Sequence, residues 1–344
     1  MPSVLTNRLN LPETIVKAVK YDTHRVAGDI SVSQIIESPR VIRLKRTNHY
    51  EEDVSERLYM LMGTALHHVI ERGNMDGVYR RAFELVSDKL DRTIPEVKDE
   101  EKRSAMDRVS SYIKKATKFF FPTDNDRYLV EHTMRVDIGD TVLYGTFDMY
   151  DKKEETLYDY KFCSTYMYTF REARQKWEAQ TNVYAYMLEA LGFPVKRIVV
   201  VAFFRDWSGT AMRRSVDYPP SQIMEIDVKK VPTTEMANYI GRRVELHKKA
   251  EDTGELPFCT GKERWAKADQ WAVKTKGTKR ALRVFASKEE AEMFMLQNAP
   301  MYSGMFLEFR AGESTRCERF CPVKDFCDQY KSEREERRRN SDDN

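Results

Sequence analysis

The sequence predicts an α/β fold, and three observations carry that expectation. Val130, His132, Met134 and Val136 alternate with Glu131, Thr133 and Arg135, the period-two mark of a half-buried strand. Residues 198–204 form a continuous run of β-branched and aromatic side chains, as in a strand covered on both faces. Between them, 171–191 reads as a long helix closed by Gly192 and Pro194. The order strand, strand, strand, helix, strand then describes a hairpin followed by a crossover helix returning to a central strand.

Taken in order, residues 1–30 read as an irregular lead-in. From 31 to 121 the chain is mostly helical, with Met60, Ala65, His67, His68 and Ile70 in a Pro-free run ended by Gly73. Further helices are expected over 82–90 and 105–121, and TDND at 123–126 breaks the pattern. The strand at 130–136 turns at 138–140 into a second, where Val142, Tyr144, Thr146 and Asp148 alternate. DKKEE at 151–155 turns again into a third strand, 157–163. Beyond Trp207 the chain returns to helix, over 234–250 and after Ser287, which with Glu290 has the form of a capping box. Residues 331–344 hold five basic and five acidic side chains and almost nothing apolar, so a disordered tail is expected.

Of the 344 residues, 41% are hydrophobic, enough for a packed core, and 33% are charged. The longest apolar run has seven residues, 198–204, against the ~20 needed to span a bilayer. With no secretory-type leader, an intracellular protein is expected, cytoplasmic or nucleoid-associated and without membrane contact. Net charge is only +3, so any nucleic-acid surface must be local.

Asp159 and Lys161 lie two apart on the third strand and therefore share a face. Alone they would suit a plain ion pair. Asp148 precedes them by eleven residues across a hairpin-length turn, so two carboxylates can converge. Two carboxylates with a backbone carbonyl, here that of Tyr160, make a hard oxygen site for Mg²⁺ or Mn²⁺. A lysine beside it can orient or deprotonate a water and offset phosphate charge. Glu131 on the first strand is a further candidate ligand.

GTFD (145–148) followed by DYK (159–161) resembles the PD-(D/E)XK nuclease core, a mixed central sheet flanked by helices. GTALHHVIE (63–71) and QTNVYAY (180–186) narrow the resemblance to the RecB-like, AddB-like exonuclease branch, which includes CRISPR-adaptation exonucleases. The resemblance implies His67 as a metal ligand beside Asp148, Asp159, Tyr160 and Glu131. It also implies Lys161, Gln180 and Tyr184 as catalytic residues. His68 points about 100° away from His67 on a helix, so the two cannot share one ion. Glu71, one turn beyond His67, is a weaker candidate. Gln180 and Tyr184, four apart, stack on one helix face.

Cys317, Cys321 and Cys327 crowd into eleven residues, and Cys259 is the best fourth ligand. Four thiolates can hold zinc or an iron–sulfur cluster. One tight triple with a distant partner suits a cluster closing a loop, and several members of the resembled branch end in a 4Fe–4S cluster. This chain departs from them in its three-residue first gap and in having no cysteine before Cys163. Cys163 itself follows the lysine by two residues and is expected to line the active site.

Between Lys262 and Arg283 eight Lys or Arg face two acids, with Trp265 and Trp271 interleaved. Lys262, Arg264, Trp265, Lys274, Lys276, Lys279 and Arg280 are candidate DNA contacts, since phosphates attract cations and bases stack on indoles. Tyr166, Tyr168, Phe170 and Trp177 could line a single-strand channel or simply pack.

The expected architecture is a helical N-terminal region at 1–125 carrying the His67 motif and a nuclease core at 126–210. A helical C-terminal region with the cysteine cluster follows at 211–330, then the charged tail at 331–344. The expected activity is metal-dependent exonucleolytic cleavage of DNA ends, in repair, recombination or processing of foreign DNA, alongside a recombination or repair protein partner. A structure-specific endonuclease, a non-catalytic DNA-binding iron–sulfur subunit and an iron–sulfur redox protein are the rival readings.

Overall fold

The computed structural model describes residues 4–21, 26–72, 85–120 and 127–342. It divides into two compact units, each assembled from separated stretches of chain. One comprises Asn7–Ile36 and Val54–Glu245; the other takes the chain up to Thr6, Glu37–Asp53 and everything from Leu246 onward. No helix among the described residues is long and apolar enough to cross a membrane.

The first unit is a mixed six-stranded sheet with helices packed on it. Its strands are Ile30–Ser31 (β1), Tyr128–Ile138 (β2), Thr141–Asp151 (β3), Thr156–Cys163 (β4), Arg197–Phe204 (β5) and Ile223–Val228 (β6). The spatial order is β1-β3-β4-β5-β6, with β2 on the other edge of β3. β2 and β3 form the expected hairpin, in which Gly139 takes φ +63°, a left-handed conformation that glycine adopts without strain. β4 and β5 run parallel, joined by the helix Gln175–Ala190.

That helix buries Val183, Tyr184, Met187 and Leu188 against Leu143, Phe147, Leu157 and Ile198 of the sheet. Met236, Ile240 and Val244 complete this core. The period-two and buried-run signals hold because the strands are half or fully covered by these helices. The lead-in is more ordered than its sequence suggests. Glu13–Tyr21 is a helix, and Val19 is buried.

The second unit pairs Val4–Thr6 with Glu51–Asp53 in parallel. The helix Pro39–Thr47, with proline in its first turn, buries Val41 and Leu44 beside Cys259, Val323, Cys327 and Tyr330. The region beyond 211, read as helical, also holds an antiparallel sheet. Gln270–Thr275 (β7) lies between Arg283–Phe285 (β8) and Met305–Arg310 (β9). The apolar stretch Trp271, Ala272, Val273 carries this strand, and Lys274 had drawn it into the basic patch.

The expected disordered tail is corrected as well: Asp328–Asp342 is one helix. Its first turns are pinned by Tyr330, whose hydroxyl donates to Glu318 at 2.7 Å. Arg337 pairs with Glu318 at 3.5 Å and with Glu333 at 3.6 Å, four residues back. These i,i+4 charges support a helix that composition alone does not.

At the closed end of the sheet Asp151 is buried and organises the β3–β4 turn. It accepts from Lys153 N at 2.9 Å and Glu154 N at 3.2 Å, and from Arg127 Nε and Nη2 at 2.6–3.0 Å. The Arg127 hydrogen bonds hold its carboxyl below the usual range. Asp151→Ala should therefore cost about 2 kcal/mol, seen as a lower urea midpoint at unchanged slope. The carboxylate's contribution is present above its unfolded pKa of about 3.9 and fades as pH falls through the folded value, so variant and parent should converge in acid.

Candidate active site

The β3–β4 ladder is short: only Met149–Asp151 pair with Thr156–Tyr158. Beyond that point β4 stays beside β5 and leaves β3, so the sheet forks. Asp148 and Asp159 are the first residues past the fork. Tyr160 N, which would otherwise face the gap, donates to Asp148 Oδ2. A carboxylate thus does the work of a missing strand carbonyl.

On the other edge of β3, Glu131 stands opposite Asp148, where the ladder skips one pair between Val130↔Met149 and His132↔Phe147. Glu131 has φ +46°, a left-handed conformation rare for a residue with a side chain. Strain of this kind persists where surrounding structure imposes it and clusters at functional sites.

His67 comes from the helix Leu58–Arg72 and joins these carboxylates. Its Nδ1 lies 3.4 Å from Asp148 Oδ1 and 3.6 Å from Glu131 Oε1, and its Nε2 lies 3.1 Å from the Tyr160 carbonyl. The ligand atoms of His67, Glu131 and Asp148 are all within 4.8 Å of one another. Burial works against a charged imidazole, but the two carboxylates outweigh it and push its pKa up to about 10.

Asp159 is 1% exposed and sits with Lys161, whose Nζ is 3.0 Å from Oδ1 and 2.8 Å from Oδ2. Burial pushes Asp159 up to about 6 against the pull of the ammonium. Burial would lower Lys161, yet Asp159 and Asp148 raise it, so the ammonium keeps its proton beside the carboxylate. The residues expected as metal ligands therefore fall in two groups. His67, Glu131, Asp148 and the Tyr160 carbonyl surround one point, and Asp159 is held by Lys161. The side chain of Glu71 lies outside the described residues.

This donor set fits a divalent cation. It offers hard carboxylate and carbonyl oxygens with one imidazole. Asp159 Oδ2 is buried and receives no hydrogen bond, although the Lys161 ammonium is in contact with it.

Gln180 and Tyr184 lie on the crossover helix, where Gln180 Nε2 donates to the Tyr184 hydroxyl at 3.2 Å. Burial raises the Tyr184 phenol; the Gln180 hydrogen bond opposes this, and Asp159, Asp148 and Glu131 reinforce it. The first residue of GTFD explains how this ring reaches the sheet. A Cβ on Gly145 would lie 2.8 Å from Tyr184 Cε1 and 2.7 Å from Val32 Cγ2.

Cys163, expected to line the site, is instead a core residue in its packing. It is buried among Val200, Ala202, Phe204 and Ile226, and burial raises its thiol to about 12, the condition of an inert cysteine. Tyr168 and Trp177 pack on the same cluster.

Cys259, Cys317, Cys321 and Cys327 line one pocket of the second unit. Among the described residues no three of their sulfurs lie within 4.8 Å of one another. Burial raises Cys317 to about 12. Sequence reasoning missed what frames this pocket. The buried Arg40 donates to Leu256 O at 2.6 Å and Pro257 O at 3.1 Å, pairs with Asp328 and approaches Cys327 Sγ at 3.9 Å. Gln329 bonds both backbone groups of Cys259, at 2.8 and 3.0 Å. The sequence marked this stretch only as part of a mostly helical segment over 31–121.

The basic candidates divide. Arg264 turns inward to Cys259 O, Ser314 and Glu333, Lys274 pairs with Glu308 at 2.9 Å, and Trp265 stacks on Phe320. Lys262, Lys276, Lys279 and Arg280 are exposed.

A family model of the PD-(D/E)XK nuclease superfamily matches residues 31–328, and the chain belongs to that superfamily, whose nucleases use divalent metals. Two solved structures resemble it distantly. The crystal structure of SSO0001 is 11% identical with a TM-score of 0.32, covering 73% of this chain and 88% of that one. A protein from Eubacterium rectale, provisionally named an exonuclease, is 12% identical with a TM-score of 0.29, covering 54% and 70%. No curated protein matches the chain.

Gly145→Ala should cost about 1–3 kcal/mol by crowding Val32 and Tyr184. The expected readout is a lower melting temperature together with loss of nuclease turnover, and the melting shift should shrink when Tyr184→Ala is added.

Proposed function

We propose that the chain is a divalent-metal-dependent deoxyribonuclease that hydrolyses phosphodiester bonds at DNA ends, with a preference for single strands. The observation that carries this reading is the meeting of His67, Glu131 and Asp148 within 4.8 Å, at the fork that also presents Asp159 and Lys161. The exonuclease assignment is supported by the four motifs in the order of the RecB-like branch. The pathway would be repair, recombination or processing of foreign DNA.

His67, Glu131, Asp148, Asp159 and the Tyr160 carbonyl would hold Mg²⁺ or Mn²⁺. When bound, such an ion polarises the phosphoryl group and offsets the charge that develops on it. Lys161 stays protonated beside Asp159, so it acts as a donor. It orients the attacking water and neutralises a phosphate oxygen. Gln180 and Tyr184 orient the lysine or the phosphate through their amide and hydroxyl. Water adds to phosphorus in line and gives up a proton to bulk solvent, the bond to the 3′ oxygen breaks, and that oxygen takes a proton from solvent.

The second unit would hold a 4Fe–4S cluster through Cys259, Cys317, Cys321 and Cys327. The cluster would be structural, binding energy becoming folding energy.

With Mn²⁺ and linear DNA labelled at either end, the protein should release nucleotides, and chelator should stop it. Asp159→Ala and Lys161→Ala should each lower turnover by at least about 100-fold, measured on folded protein because either change leaves the other member of a buried pair uncompensated and lowers the melting temperature. Wild-type activity retained in both variants would remove the mechanism. Circular single-stranded DNA should survive; its cleavage would assign an endonuclease instead. Protein purified without oxygen should be brown with a broad band near ~400 nm that Cys259→Ser removes; a colourless protein would leave zinc or no metal.

A further inference from the structure

The parallel strands β4 and β5 end side by side, with Lys161 opposite Ala202 and Cys163 opposite Phe204. Arg205 closes this end, its amide donating to Cys163 O at 2.9 Å. Asp206 Oδ1 accepts from Thr165 N at 2.7 Å, and Tyr168 meets Phe204 edge-on with centroids 6.1 Å apart. The short helix Tyr166–Thr169 is thereby tied to the same end of the sheet. Three residues at about 3.3 Å each place Arg205 roughly 10 Å past the level of Lys161 along the strands.

Two arrangements here have no role in the fold's core. The exposed Arg205 guanidinium lies over the Tyr59 ring, 4.2 Å from its centroid. It has no carboxylate partner among the described residues. Tyr59 belongs to the helix that carries His67, and is itself 60% exposed. On the segment tied to this end of the sheet, Tyr166 and Phe170 stack with centroids 4.4 Å apart at 30°, yet are 56% and 49% exposed. An unpaired cation fixed in orientation by a ring suits a phosphate. An open aromatic face suits a base, because every base has a π face to offer. An apolar protein partner would use the rings but leave the guanidinium without a counter-charge.

We propose that Arg205 on Tyr59 and the Tyr166–Phe170 stack form a clamp for one strand of nucleic acid: the guanidinium takes a phosphate and the ring pair takes an unstacked base. The clamp deepens the nuclease reading and rests on it for the strand's destination, the fork at Asp148 and Asp159. In a duplex the base faces are already stacked, so the clamp selects single strands. It thus supplies the strand preference from this chain's own residues.

The test measures binding of a labelled oligo-dT and of a blunt duplex in chelator, by fluorescence anisotropy across a salt series. Arg205→Ala and the double variant Tyr166→Ala/Phe170→Ala should each weaken oligo-dT binding about tenfold and duplex binding much less. Arg205→Ala should also reduce the salt slope by about one phosphate contact. Arg205→Lys, which keeps charge but not the planar stack, should fall between. Val216→Ser, at a side chain 99% exposed, serves as control and should match the parent. Melting temperatures identify folded variants, and Arg205→Lys decides if Arg205→Ala does not fold. Folded variants that bind oligo-dT like the parent, or that lose single-strand and duplex binding equally, overturn the clamp. Absence of cleavage by the parent protein with Mn²⁺ removes the nuclease reading instead, while the binding arm still decides the clamp.

Discussion

Where β3 and β4 separate, the backbone loses its hydrogen-bond partners, and the site is built from what replaces them. A buried amide left unpaired costs on the order of 1–3 kcal/mol. The Asp148 carboxylate satisfies the Tyr160 amide across that gap, which fixes the carboxylate's position without help from any ion. The same opening exposes the Tyr160 carbonyl to His67. Glu131 meets Asp148 from the opposite edge by taking a conformation few side-chain-bearing residues adopt. The interrupted ladder therefore sets two of the three groups that surround the histidine, Asp148 and the Tyr160 carbonyl, and Glu131 supplies the third from the opposite edge.

Electrostatics then follow from geometry. Carboxylates gathered under poor solvation repel one another, and the protein answers with cations. Lys161 faces Asp159, and the imidazole of His67 sits between Asp148 and Glu131. The same two carboxylates raise the pKa of the histidine, so the pocket favours positive charge at that point. A pocket that recruits its own side chains to balance charge is one into which a divalent ion fits.

Much of this was legible in the sequence because strands covered on one or both faces write their period into their residues. β2 through β5 and the crossover helix fall within a few residues of where alternation, Gly192 and Pro194 set them. GTFD, DYK and the His67 and Gln180 helices named the groups that now meet. Other features leave little trace. β1 is two residues long, and the left-handed backbone at Glu131 has no compositional mark. β7 was hidden by Lys274 and the basic residues that flank it. Arg40 reaches the cysteine pocket from more than two hundred positions away. Arg264 looked like a surface cation but is spent on internal hydrogen bonds.

The discontinuous make-up of the cysteine-bearing unit bears on the order in which the protein can mature on the ribosome. Everything the nuclease unit needs has been made once Glu245 emerges, so that unit can close early. The helix Pro39–Thr47 is made before almost all of it, yet its apolar side chains Val41 and Leu44 wait for Val323, Cys327 and Tyr330. Leu256 and Cys259 reach that stripe only after some two hundred residues of translation, and the rest of its cover some sixty later. A nascent chain of this design invites chaperone capture of this helix, and a message truncated before Cys317 would yield an early-folding unit tethered to a helix lacking most of its apolar cover.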